Sequence, residues 1–206
     1  DWHVLGLRGT RSEGYTLTDE FVASERSLDR ENPEECRVAT PLYVIPTTNV
    51  YASVFSGVAL GIARASLDDL TTLARTKRAR GASTALRDSA VFQTDLAELT
   101  ARWRAAHAYQ SDAIARVWDA VESTMAIPLE ERVQLRLATT FAIRQSNDIV
   151  AQVYRMAGSD AIFEGQPFER RFRDMHAVSQ QVQGRATNFE TVGRHLLGHE
   201  VTTTFL

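Results

Sequence analysis

The chain has 206 residues, of which 44% are hydrophobic and 24% charged, with a formal net charge of −3. That length can bury a substantial core in one or two domains. The near-neutral, slightly acidic balance excludes a general nucleic-acid binder, which needs a basic surface. Cys36 is the only cysteine, so no internal disulfide forms, which fits a reducing, cytoplasmic setting. No uninterrupted apolar run approaches the ~20 residues of a membrane span, and no signal-peptide pattern opens the chain. The expectation is a soluble, mainly α-helical protein.

Residues 1–25 read differently from the rest. Trp2 to Leu7 and Tyr15 to Val22 are strand-like. In the second stretch Tyr15, Leu17, Asp19 and Phe21 alternate with Thr16, Thr18 and Glu20, a period of two. The intervening Gly9-Thr10-Arg11-Ser12-Glu13-Gly14 has turn composition. A lone hairpin is marginal in water. This one either belongs to a sheet outside the chain, making the chain a fragment with the tail end of a β domain, or packs on the helices. Residues 26–46, with Pro33, Pro41 and Pro46, read as a linker or covering loop.

Residues 47–206 read as helices. The first runs from about Thr48 to Arg78, with Val54, Val58, Ile62, Leu67, Leu70 and Leu73 as its apolar stripe, and stops at Arg80-Gly81. The second starts after Asp88-Ser89, both good N-caps, and carries Phe92, Leu96, Leu99, Trp103 and Ala106, then Ile114, Val117 and Val121. The third opens at Pro128 with Glu130 and Glu131 in its first turn and ends at Gly158. Val133, Leu137, Phe141, Ile149, Val153 and Met156 line it. Shorter helices span about Pro167 to Val182 and Asn188 to Leu197. Long helices joined by short loops pack antiparallel, which predicts an antiparallel four-helix bundle.

Residue types alone give little chemistry. There is no G-x-G-x-x-G, Walker loop, H-E-x-x-H or G-x-S-x-G. Glu190 and Glu200 have no histidine three residues on, which argues against a di-iron bundle site. His195 and His199 are spaced i, i+4, but no third metal ligand is apparent and Gly198 interrupts the helix, so no metal site is assigned. The Arg170, Arg171, Arg173, Asp174 cluster reads as a salt-bridged face.

The segment Trp2-His3-Val4-Leu5-Gly6-Leu7-Arg8-Gly9-Thr10-Arg11-Ser12, followed by Asp19-Glu20-Phe21-Val22, resembles the end of the β domain in acyl-CoA dehydrogenase-fold flavoenzymes, whose pattern is W-x-x-x-G-x-R-G-T-x-S and then D-x-F-V. The resemblance implies the last strands of a middle domain followed by the C-terminal helical bundle, about half of a complete member. After the third helix, Arg173-Asp174-Met175-His176 and Gln180-Gln181 appear without the E-G-T-x-E stretch of the dehydrogenases. That is similar to the flavin-dependent monooxygenase branch, where the pattern is often R-D-x-H-x-x-x-Q-H.

The branch resemblance implies reduced flavin (FMN or FAD) supplied by a separate reductase. It also implies a homo-oligomer, with a tetramer expected, and hydroxylation or N-oxygenation of a small aromatic or amine substrate. Gln181 stands at the position of the final histidine, with His176 the neighbouring candidate. Glutamine hydrogen-bonds but takes no proton near neutral pH, so it departs from phenol-activating chemistry. Trp2 and Ser12 match positions that approach the flavin. Lys77, Arg78 and Arg80 fall where relatives place a cation toward a neighbouring subunit's flavin phosphate; the other reading is a basic helix C-terminus. Gly158 and Ser159 either offer backbone donors to the flavin or cap a helix. Arg11 replaces a glycine usual in relatives. A dehydrogenase of the same fold and an inert helical oligomerisation module remain alternatives.

Overall fold

A computed structural model describes residues 2–29, 32–38, 40–202 and 206. The fold is mainly helical. After a short helix α1 (Pro41–Val44) come three long ones, α2 (Thr47–Ala74), α3 (Ala90–Thr124) and α4 (Leu129–Ala157), then α5 (Pro167–Gln180) and α6 (Thr187–Leu196). α4 is the hub, packing on α2, α3, α5 and α6.

The side-chain bonds establish direction. Gln110 Nε2 reaches Ser56 Oγ at 2.5 Å while Trp103 Nε1 donates to Leu60 O at 2.9 Å, so α2 and α3 run in opposite senses. Arg116 with Glu131 and Arg102 with Gln145 give the same antiparallel order for α3 and α4. Ser89 caps α3, its hydroxyl accepting from Phe92 N. Gly158 closes α4 at φ 59°, a left-handed conformation that suits glycine.

The expected α2 stripe holds at Leu67 and Leu70, which are buried, and fails in the first half of the helix. Val54 is 57% and Val58 45% exposed, whereas Ala52, Ser56, Ala59, Leu60, Ala63, Ser66, Leu67, Leu70 and Ala74 are buried. Small side chains let helix backbones approach closely. The buried serines satisfy themselves on their own helix: Ser56 Oγ donates to Ala52 O at 2.7 Å and Ser66 Oγ to Ile62 O at 2.8 Å. α2 also corrects the hydropathy reading. It holds an 18-residue window of mean hydropathy 1.4, long and apolar enough to cross a bilayer by length and composition. Its Gln110 and Trp103 bonds and its buried alanine face mark it as a core helix, with an apolar outer face left over.

The hairpin does not form: among the described residues there is no strand. Residues 8–10 are instead a 3-10 turn, and residues 11–22 are exposed throughout, Tyr15 at 87% and Phe21 at 91%. The alternating pattern can pair only with another strand, and the described residues supply none for ladder hydrogen bonds.

Candidate functional site

At one end of the molecule the C-termini of α2 and α4 come together around an open cleft of about 650 Å³. Lys77, Arg78, Arg80, Gly158, Ser159 and Asp160 are among the residues that line it. Two sets of residues that lie 80 positions apart in sequence thus share one wall. Local chemistry explains the convergence. α2 stops at Ala74 and the chain turns through Lys77, whose carbonyl accepts from Leu86 N at 2.8 Å. Lys77 Nζ donates to Ala157 O at 2.5 Å and pairs with Asp160, bolting the α2 end to the α4 end. A Cβ on Gly158 would sit 3.4 Å from that Nζ.

The charge is then divided. Lys77 is spent on Asp160 and on a helix C-terminus, where a cation complements the dipole. Arg78 and Arg80 are exposed and make no hydrogen bond or ion pair among the described residues. Two free guanidiniums beside a tight turn suit an anion with several oxygens.

Trp2 and Ser12 do not line this cleft. Trp2 folds back on its own segment, its indole N–H donating to Leu7 O at 3.1 Å, and Ser12 is exposed, 3.4 Å from the Thr10 hydroxyl. The segment they flank is docked on α5. Leu7 N donates to Asp174 Oδ1 at 2.7 Å and Arg173 Nη1 to Leu5 O at 2.8 Å. A Cβ on Gly6 would lie 2.1 Å from Arg173 O, so only glycine fits that approach. The R-D pair therefore joins α5 to the N-terminal segment rather than to the bundle; Arg171, paired with Asp69 and donating to Ala65 O at 2.6 Å, makes the bundle contact.

His176 is half-buried on α5. Its Nδ1 lies 2.8 Å from Phe172 O, and its ring packs on Phe172 at 4.0 Å, with Tyr154 4.6 Å beyond. A carbonyl facing Nδ1 makes that nitrogen the donor, which leaves Nε2 as the free nitrogen. Gln181 is not on the helix: α5 ends at Gln180, and Gln181 has extended φ/ψ of −68° and 151°. Its side-chain oxygen accepts from Gln183 N at 2.6 Å, capping the 3-10 turn Val182–Gly184. Because Gln181 lies past the end of α5, helical spacing does not fix how its side chain stands relative to His176. His195, one of the paired histidines, bonds Glu130 at 2.9 Å.

Behind that turn lies a polar cluster that the sequence reading missed. Arg136 is 2% exposed and donates through Nη1 to Gln183 Oε1. Thr140 Oγ1 and Asn188 Nδ2 both donate to Gln183 O, at 3.2 and 3.0 Å. The available signal was the i, i+4 spacing of Arg136 and Thr140 inside an otherwise apolar stripe.

The family profile "Acyl-CoA dehydrogenase, C-terminal domain" matches residues 53–184. The chain is 27% identical over 199 residues to indole-3-acetate monooxygenase of Pseudomonas putida, covering 97% of this chain and 51% of that protein. It is 25% identical over 183 residues to the oxygenase subunit HsaA of a flavin-dependent monooxygenase of Rhodococcus jostii (strain RHA1), covering 85% and 48%. Its fold matches XiaF from Streptomyces sp., solved in complex with FADH2 and glycerol, at a TM-score of 0.90 and 22% identity over 100% of this chain and 54% of that one. The chain spans about half the length of the curated relatives it matches. The profile match covers well over half of the chain, and the protein belongs to the acyl-CoA dehydrogenase C-terminal domain family.

Proposed function

We propose that the chain is the C-terminal portion of a two-component, flavin-dependent monooxygenase, in which α2 to α5 form the four-helix bundle. It would act on a small aromatic or amine substrate in the cytoplasm. The observation that carries this reading is the meeting of Arg78, Arg80, Gly158 and Ser159 on one cleft. Those residues fit a flavin phosphate through two unengaged guanidiniums, with the Gly158-Ser159 turn as the facing wall; the Gly158 N–H is itself given to Arg155 O. Similarity to oxygenases whose names specify flavin dependence or an oxygenase subunit supports the cofactor and a separate reductase. The missing E-G-T-x-E after α5 favours oxygenation over acyl-CoA dehydrogenation.

Reduced flavin, FMN or FAD, supplies oxygen activation when bound. The chain's residues do the rest. Arg78 and Arg80 pair with the phosphate, and the Lys77–Asp160 bolt keeps the two helix ends at fixed separation. His176, its Nδ1–H given to Phe172 O, presents Nε2 as a hydrogen-bond acceptor. Gln181 keeps its side-chain N–H groups for donation while its oxygen holds the turn.

A self-associating bundle, with a tetramer as the proposed state, is supported by the outer faces of α2 and α3, where Val54, Val58 and Trp118 (42%) are exposed. In the complete enzyme, replacing Arg78 and Arg80 together with alanine should weaken reduced-flavin binding about tenfold or more, for the loss of two charge-assisted contacts. An unchanged affinity would remove the cleft from the cofactor site. Product analysis with and without oxygen separates oxygenase from dehydrogenase.

A further inference from the structure

α6 is ten residues long, too short to hold its shape and place without packing. Its inward face carries two buried residues, Asn188 and Val192, one helical turn apart. Asn188 Nδ2 donates to Val182 O and Gln183 O at 3.2 and 3.0 Å, so the start of α6 grips the Val182–Gly184 turn. Val192 is buried against Val133 of α4 and Leu206. Further along, His195 Nε2 lies 2.9 Å from Glu130 Oε2, near the surface.

Leu206 is fully buried and belongs to a small core apart from the main one. Val133 enters that core from the start of α4, Val192 from α6, and Leu206 from neither helix, so Leu206 is the piece that joins the two. Its backbone is aimed as well as its side chain. Arg132, next to Val133, donates to Leu206 O through Nε at 3.3 Å and Nη2 at 3.0 Å. One turn along α4, Arg136 donates to Gln183 Oε1. The contacts thus close a ring: Leu206 to α4 at Arg132 and Val133, α4 to the turn at Arg136, the turn to α6 at Asn188, and α6 back to Leu206 at Val192. Gln181 leads into that turn, its Oε1 accepting from Gln183 N at 2.6 Å and its O from Gly184 N at 2.9 Å. On the far side the turn has no slack, because a Cβ on Gly184 would lie 2.9 Å from both Ile143 Cγ2 and Ser179 O.

We propose that Leu206 is a positioning residue for Gln181: packed between Val133 and Val192, it sets the place of α6 on α4, α6 sets Asn188, and Asn188 sets the turn that carries Gln181. The proposal rests on the monooxygenase reading for the part Gln181 takes in the chemistry, and on nothing in it for the coupling of Leu206 to the turn. The coupling is steep because its last link is short-range. A slide of α6 by about 1 Å takes both Asn188 bonds beyond hydrogen-bonding reach. Shortening Leu206 opens the space into which Val192 can make that slide.

The test reads amide exchange in the 206-residue chain at Gly184, whose N–H is given to Gln181 O, and at Leu7, whose N–H is given to Asp174 on α5. Leu206→Ala should speed exchange at Gly184 at least about tenfold and leave Leu7 within about twofold of the parent. Leu206→Met keeps the volume and should bring Gly184 back to within about twofold. In Asn188→Ala the relay is already cut, so adding Leu206→Ala should speed Gly184 by less than a further twofold or so. If Leu206→Ala does not fold, Leu206→Val reads the same order of effects at smaller size. An unchanged Gly184 overturns the coupling, and so does a full acceleration that persists in Asn188→Ala, which would mark a general loss of stability. In the complete enzyme, Leu206→Ala should lower the share of consumed oxygen that appears in product about tenfold, as a misplaced group near the chemistry does. Reduced-flavin affinity should hold, since the Arg78–Arg80 cleft lies at the opposite end of α4. A turn that loosens while product forms as before overturns the positioning role. A parent enzyme that oxygenates nothing overturns the monooxygenase reading instead and leaves the coupling of Leu206 to the turn standing.

Discussion

Two neighbouring stretches at the start of the chain carry similar strand-like text and meet opposite fates. Residues 2–10 are docked: Leu5 and Leu7 bond α5, Gly6 is buried against Arg173 O, and Trp2 closes the segment on itself. Residues 13–22 touch nothing comparable, and their aromatic residues stand in solvent. The difference lies in the partner. The first stretch meets an Arg-Asp pair whose side chains imitate what a neighbouring strand would offer, a carbonyl-seeking donor and an N–H-seeking acceptor. The second needs a strand. A period-two pattern therefore states a capacity for pairing, and the presence of a complement decides whether it is used.

The strongest way to break the contrast is Gly6→Ala. The new Cβ meets backbone, which cannot step aside, so the segment should leave α5 at a cost of about 3 kcal/mol, and the Leu7 amide should exchange with solvent roughly a hundredfold faster. Exchange at residues 13–22 should not change; if Leu7 stays protected, the docking is not what holds it. Asp174→Asn is the next step down. It leaves a weaker acceptor for Leu7 N, and protection there should fall about tenfold, near 1.5 kcal/mol, for the loss of one charge-assisted bond.

Acid gives a smaller effect with a defined sign. Arg173 donates to Glu169 as well as to Leu5, at 2.7 Å, and the guanidinium holds the Glu169 carboxyl below its ordinary range. A carboxyl depressed in the folded state contributes stability that is whole above the unfolded value, about 4.3, and is lost as pH falls through the folded one. Leu7 protection in Glu169→Gln should therefore fall short of the parent at pH 6, and the gap should close as pH falls from about 4.3 toward and below the depressed folded value. A constant difference across that range would separate the ion pair from the docking. The smallest effect is at the junction of the two stretches. Arg11 sits at φ 44°, ψ 52°, left-handed and strained for a β-carbon, where relatives usually have glycine. Arg11→Gly should raise stability by about 0.5 kcal/mol, the relief of strain less the added chain entropy. A loss on calorimetry would mean that Arg11 makes a contact worth more than its strain.

The helices were legible because each carries its own punctuation: Ser89 before α3, Pro128 before α4, Gly158 after it, Pro167 opening α5. Their inner faces were legible only in part. On α3 the large residues Phe92 and Leu99 do face the core, as Leu67 and Leu70 do on α2, but in the first half of α2 the packing selects alanine and serine and leaves Val54 and Val58 outside, since close helix approach there favours small side chains. At the candidate cleft, Arg78 and Arg80 and the Gly158-Ser159 turn were each visible as local chemistry. That they share a wall depends on α2 and α4 ending side by side, which no local pattern encodes.

Gln181 and Arg136 mark the boundary most clearly. The sequence by itself determined that a helix begins at Pro167 and that an arginine interrupts the α4 stripe, and its resemblance to the monooxygenases suggested a glutamine at the position of a histidine. Only the tertiary structure decided that α5 ends one residue before Gln181, freeing its side chain to cap the next turn. Only it put Arg136 in the interior, with Nη1 bound to Gln183 and with Nε and Nη2 unpaired among the described residues. Capping, helix propensity and period act over three or four residues and are written in the chain. The dielectric around a charge, and the identity of its partner, depend on which surfaces close over it, and those surfaces come from helices about fifty residues apart in sequence.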